Sequence, residues 1–222
     1  MGRIFLSFDV ETSGLPLFKE PSEHPDQPHI VQIGARLIDI ETRVPVHTLD
    51  TIIKPDGWTI PDEVAAIHGI TTERALAEGI PEHEALAAFD DMWRQAEFRL
   101  AYNASFDDRI LRIAYMRHVG HDRADEWKDG AVKCSARMAT PIVNMAPTDR
   151  MMAAGRYTAK MPKLAEAYRF FFGNDLENAH SALADVDAST AIYFACLDRA
   201  QPATTPMARP VPAPAVADEI RF

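Results

Sequence analysis

Residues 3 to 10, Arg-Ile-Phe-Leu-Ser-Phe-Asp-Val, are β-rich and almost continuously apolar, the pattern of a strand covered on both faces. A proline-rich connection runs from Leu15 to His29, and two further β-like segments, Ile30 to Asp39 and Val46 to Lys54, predict a three-strand meander. Helical spacing takes over at Pro61 to His68, at Thr72 to Glu78, and at Glu82 to Ala96, where Leu86, Phe89, Met92 and Trp93 share a face. A strand is expected again at Phe98 to Tyr102. Ser105 then reads as the N-cap of a helix, with Asp108 three residues on and Ile110, Leu111, Ala114 and Tyr115 as its apolar side. A strand-like Ala131 to Cys134 precedes a loop-rich region. Two helices close the pattern, Leu164 to Phe172 and Ser181 to Ala200, the second with Val186, Thr190, Tyr193 and Leu197 on one side.

Strands clustered early and alternating with helices later indicate an α/β fold: a central mixed β-sheet, antiparallel at one side, flanked by crossover helices. A chain of 222 residues is long enough for one domain with a sizeable core, expected over residues 1–200. Residues 201–222 are rich in proline and alanine, which predicts a semi-rigid, unpacked, disordered tail. No apolar run approaches the ~20 residues that span a bilayer. The apolar start is too short and strand-like for a signal peptide, so no membrane partner and a cytoplasmic location are expected. Cys134 and Cys196 are far apart in sequence, as core fillers in a reducing compartment would be.

The formal net charge of -10 by itself argues against a nucleic-acid partner. Its distribution changes that picture. Between Lys133 and Lys163 the chain holds Lys133, Arg137, Arg150, Arg156, Lys160 and Lys163 against the single acid Asp149. The segment is either a solvated basic loop or a surface for phosphates.

Four stretches carry candidate chemistry. In "FDVETSG", Asp9 and Glu11 project to one strand face while Phe8 and Val10 point to the other. Two carboxylates aimed at one point raise each other's pKa unless a cation intervenes, so they either hold a metal or sit hydrated at a strand end. In "YNASFDDRIL", Asp107 opens a helix after a strand, where α/β sheets place ligands, or it merely favours the helix dipole. In "AHSALADVDAS", His180 and Asp185 are five residues apart, roughly 140° on a helix, so a shared site requires His180 on the preceding loop. In "IHGIT", His68 lies at a helix end. His118 and His121 are spaced like zinc ligands but lack a matching pair of cysteines or histidines.

Taken together, Asp9, Glu11, Asp107, His180 and Asp185 resemble the DEDD exonuclease superfamily and its histidine-bearing DEDDh branch. "FDVETSG", "NASFD" and "HSALAD" match the three family motifs in family order, with "IHGIT" between the first two. "KLAEAYRFFFG" is similar to the lead-in to the third motif in the proofreading ε subunit of bacterial DNA polymerase III and its relatives, and the chain as a whole also resembles RNase T. The resemblance covers about residues 3 to 200, with every catalytic position occupied. It implies an RNase H-like fold and 3'-to-5' exonuclease activity using two divalent ions, Mg2+ or Mn2+. Asp9, Glu11, Asp107 and Asp185 would hold the ions, and His180 would act as general base. Thr12, Ser13, Gly14 and Leu15 would hold the terminal 3'-hydroxyl, and His68, Asn103 and Phe106 the last nucleotides. The basic segment then becomes a phosphate groove.

The implied substrate is a nucleic-acid 3' end, single-stranded DNA first, with an exoribonuclease as the alternative within the class. A catalytically weak nucleic-acid-binding subunit of a replication or repair complex is the alternative outside it. The last residues, "ADEIRF", resemble the acidic, phenylalanine-ended tips of bacterial single-stranded-DNA-binding proteins and the peptides that dock on sliding clamps. They are either a docking peptide for a replication or repair protein or an inert end.

Overall fold

The computed structural model describes residues 2–200; the proline-rich tail and "ADEIRF" lie outside the described residues. Five strands form one sheet in the order β3-β2-β1-β4-β5. They are β1 (Ile4–Thr12), β2 (Ile30–Asp39), β3 (Pro45–Ile52), β4 (Arg99–Ala101) and β5 (Val132–Cys134). The first three make the expected antiparallel meander, while β4 and β5 add parallel to β1, so the sheet is mixed. Helices α1 (Asp62–His68), α2 (Thr72–Glu78) and α3 (Glu82–Trp93) lead into β4, and α4 (Ser105–His118) and α5 (His121–Asp129) into β5. Then come α6 (Ser135–Val143), α7 (Asp149–Ala153), α8 (Leu164–Phe172) and α9 (Ala182–Ala200).

The two faces of β1 explain its unbroken apolar run. Leu6, Phe8 and Val10 enter a large core with Phe89, Leu111 and the fully buried Trp127. Phe5 faces the other way, against Phe98, Tyr193 and Phe194. Phe8 and Trp127 meet edge to face with ring centroids 5.5 Å apart, and the Arg99 guanidinium lies 3.9 Å from the Trp127 ring centre while pairing with Asp108 at 2.8 Å. A buried cation is thereby both stacked and hydrogen-bonded.

Along its second face β1 carries Phe5, Ser7, Asp9 and Glu11 in alternation. Phe5 packs on Tyr193 and Phe194, and Ser7 Oγ accepts from Thr190 Oγ1 at 2.8 Å. The contacts move back along α9 as they move forward along β1, so the helix runs antiparallel to the strand. Its start therefore lies over the acidic end of β1. Gly34 of β2, directly across from Asp9, permits this approach: a Cβ there would lie 2.6 Å from the backbone at Ala182 and Leu183. Gln32 Oε1 accepts from the Ala182 N–H at 3.3 Å, satisfying one of the helix's orphan donors.

Three sequence expectations fail locally. The region after Cys134 is helical at α6 and α7, and α5 was not anticipated. In α5 only Ala124 and Trp127 are buried, too few to show a period, and α6 contains Pro141 yet is held by burying Ser135, Ala136 and Ala139. The Ser135 and Ser189 hydroxyls meet at 2.8 Å, fastening α6 to α9. Ser105 is not an N-cap. The left-handed Asn103 (φ 56°) turns the chain so that the helix begins one position earlier, with Ala104 in the cap position.

Candidate active site

The first motif, the start of α4 and the start of α9 meet at the carboxyl end of β1. Glu11, His180 and Asp185 present ligand atoms all within 4.8 Å of one another. His180 lies on the loop before α9, as a shared site requires, in a left-handed conformation (φ 68°) with its N–H donating to Asp185 Oδ2 at 3.3 Å. Asp107, buried on the first turn of α4, accepts from the Val10 N–H at 3.4 Å through Oδ1. Asp9 lies between Phe8 and Val10 on the face toward α9, near enough to Asp107, Asp185 and Glu11 for their charges to act on it.

The charges are strongly frustrated. Burial, then repulsion from Asp107, Asp185 and Glu11, holds the Asp9 carboxyl well above the ordinary range. Burial and the Asp185 charge push Glu11 up to about 7. Burial likewise pushes Asp107 up to about 8, against the relief given by the backbone N–H of Val10. Asp185 is raised by burial, and its Oδ1 is buried with no hydrogen-bond partner among the described residues. Clustered oxygens, mutual repulsion and an orphaned carboxylate oxygen are what a divalent cation would satisfy.

Beside this cluster is a cavity of about 250 Å³ lined by Val10, Glu11, Thr12, Gly14, Leu15, Val64, Ile67, His68 and Phe106. Its walls are mostly apolar, with the Glu11 carboxylate on one side. Leu15 is 76% exposed at its rim and Phe106 is half-buried against the core, so Phe106 both packs and faces the cavity. His68 is buried, its Nδ1 accepting from the Ile70 N–H at 3.2 Å and its Nε2 without a partner among the described residues. Burial lowers its pKa. Ser13 lines a neighbouring recess with Gly14 and Leu15, and Asn103 is exposed ahead of α4.

Ser13 of the first motif is held in place by residues that carry no motif. Ser13 and His29 exchange two hydrogen bonds of 2.9 Å, which fixes the start of the loop after Glu11. His29 in turn is held by Glu82, which is 6% exposed and also bonds Ile30 N–H, Arg117 and His118. Burial opposes the Glu82 charge, but hydrogen bonds from His118 and His29, with Arg117 nearby, outweigh it and draw its pKa down to about 2. His118 is thus a partner of Glu82 rather than half of a zinc pair with His121. Outside the motifs, Gly34 carries a sequence signal, a glycine inside an apolar strand, which marks close backbone approach.

The family model described as exonuclease, RNase T, matches residues 6–193. No curated protein sequence matches significantly. Among solved structures, a zinc-bound complex of E. coli exonuclease I with single-stranded DNA aligns with a TM-score of 0.68 at 23% identity, covering 90% of this chain and 41% of that one. E. coli exonuclease I with a dT13 oligonucleotide aligns at 0.66 and 24% identity over 89% of this chain and 41% of that one. A complex of exonuclease I with an SSB C-terminal peptide aligns at 0.66 and 21% identity, covering 90% and 42%. The chain spans about two fifths of these structures and shares their RNase H-like fold.

Proposed function

This chain belongs to the RNase T exonuclease family, and on that premise we propose that it removes nucleotides one at a time from the 3' end of single-stranded DNA by metal-dependent hydrolysis. The observation that carries the reading is the convergence of Glu11, His180 and Asp185 within 4.8 Å, beside the half-buried Asp9 and the buried Asp107. Four carboxylates from three distant segments meet there with His180 beside Asp185, and among the described residues none of the four is paired with a lysine or arginine. Asp9, Glu11, Asp107 and Asp185 would hold two divalent ions, Mg2+ or Mn2+. Bound there, such ions supply charge neutralisation, a more acidic water and relief of charge on the departing 3'-oxygen.

The chain's own residues do the rest. His180, on its loop and tied by its N–H to Asp185, accepts the proton of the attacking water at an imidazole nitrogen. The cavity walls at Leu15, Ile67 and Phe106 receive the terminal base and sugar and exclude water from the scissile phosphate. Thr12 Oγ1 donates to the Gly14 carbonyl at 2.8 Å and holds the turn that meets the 3'-hydroxyl. The exposed Leu15, the His68 Nε2 that has no partner among the described residues, and Asn103 contact the last nucleotides. Single-stranded DNA is favoured as substrate because the exonuclease I structures that share this fold are DNA complexes.

The test is digestion of 5'-labelled and 3'-labelled single strands, as DNA and as RNA, with Mg2+ or EDTA. Stepwise shortening of 5'-labelled DNA only with metal, lost in Asp9→Ala and His180→Ala, is expected. Faster digestion of RNA would replace the substrate; binding of both polymers without cleavage would replace the enzyme with a binding module.

A further inference from the structure

A second recess flanks the site on its other side. The first turn of α4 separates two cavities: Phe106 lines the one beside Glu11, and Ser105 lines another of about 350 Å³ with Lys133, Cys134 and Arg137 at the carboxyl end of β5. Asp107 belongs to the same turn. The second recess thus lies across this turn from the cavity assigned above to the 3' end.

The recess is electrostatically prepared for phosphate. Elsewhere in this acidic chain the arginines are largely neutralised: Arg36 by Asp187, Arg43 by Asp198, Arg112 by Asp125 and Arg123 by Asp90. Among the described residues from 133 to 163 only Lys160 makes an ion pair, with Glu166 at 2.7 Å. Arg137 is exposed and has neither a carboxylate nor a hydrogen-bond partner among the described residues. Lys133 lines the recess while its ammonium rests on neutral groups beside it, donating to the Tyr193 hydroxyl at 3.0 Å and lying 3.8 Å from the Phe98 ring centre, so its charge is near the recess and not cancelled by a carboxylate. The one acid lining the recess, Asp108, is already paired with Arg99 at 2.8 Å.

We propose that Ser105, Lys133 and Arg137 form a backbone-phosphate subsite for the nucleic-acid strand upstream of the scissile bond. This rests on the exonuclease reading for the strand's direction. It follows that the enzyme distinguishes long strands from single nucleotides through a site that takes no part in the chemistry. Arg150 and Arg156, also unpaired among the described residues, extend the same cationic segment.

The experiment compares a 5'-fluorescein-labelled dT12 strand with the p-nitrophenyl ester of thymidine 5'-monophosphate, using wild type, Arg137→Ala, Arg137→Glu and, as a control cation, Lys128→Ala. Binding of the strand is read by anisotropy with Ca2+ in place of a catalytic ion, and hydrolysis of both substrates with Mg2+. Arg137→Ala is expected to bind the strand about tenfold more weakly, with a log-log salt dependence shallower by about 0.7. Hydrolysis of the mononucleotide ester stays at the wild-type rate, and Lys128→Ala matches wild type throughout. Equal loss on both substrates, or no loss on either, overturns the subsite. Arg137-dependent binding without any cleavage keeps the subsite and defeats the exonuclease reading; cleavage with strand binding indifferent to Arg137 does the reverse.

Discussion

Replacing Glu11 by Gln should stabilise the metal-free protein at alkaline pH. In the folded chain the carboxyl titrates at about 7 against an ordinary 4.5, because burial and Asp185 disfavour its charge. Below pH about 4.5 both folded and unfolded states carry the proton and the cost is absent. As pH rises the unfolded chain ionises first, and above about 7 the folded state bears the whole penalty. The difference corresponds to about 3 kcal/mol, trimmed to about 2 by solvent at the half-open cleft. For a chain of this size that is about 4 to 8 °C in Tm. Thermal unfolding in EDTA from pH 4 to pH 8.5 reads it directly: the wild-type and Glu11→Gln curves coincide at the acid end and separate with rising pH. Saturating Mn2+ should reverse the order, because the wild-type carboxylate then has its counter-charge. A gain independent of pH, or one that survives Mn2+, would refute the electrostatic account.

Two other outcomes follow from described contacts. Glu82 has a depressed pKa of about 2, so its stabilisation is present above about 4.5 and lost as pH falls toward 2; Glu82→Gln should cost about 3 kcal/mol at pH 7, with the difference from wild type vanishing in acid unfolding curves. Gly34→Ala places a methyl 2.6 Å from the start of α9, and should lower hydrolysis by more than about tenfold for a stability loss of about 1–3 kcal/mol, measured by paired rate and unfolding assays; a proportionate loss of both would mean simple unfolding.

Much of the site was legible because its acids interrupt strong patterns. Asp9 and Glu11 break an apolar strand with the period of two, and the five-residue spacing of His180 and Asp185 forces the histidine onto a loop, where it is found. The order β1 to β3 followed by helices also announced the mixed sheet. Elements held by tertiary contacts were not legible: α6 survives Pro141 because its small residues bury against α9, and α5 hangs from Trp127. The role of Glu82 was hidden because its partners, His29, Arg117 and His118, come from remote segments. A charge on the first turn of a helix looks solvated until the fold surrounds it.

The antiparallel docking of α9 on β1 has a consequence for the order of events during synthesis. Asp9 and Glu11 emerge early in translation, Asp107 midway, and Asp185 only with the last described helix. Until α9 packs against Phe5, Ser7 and Gly34, a nascent chain holds only part of the carboxylate cluster. Such long-range closure is slow relative to local helix and hairpin formation. On the proposed function, hydrolysis would therefore have to await the docking of α9.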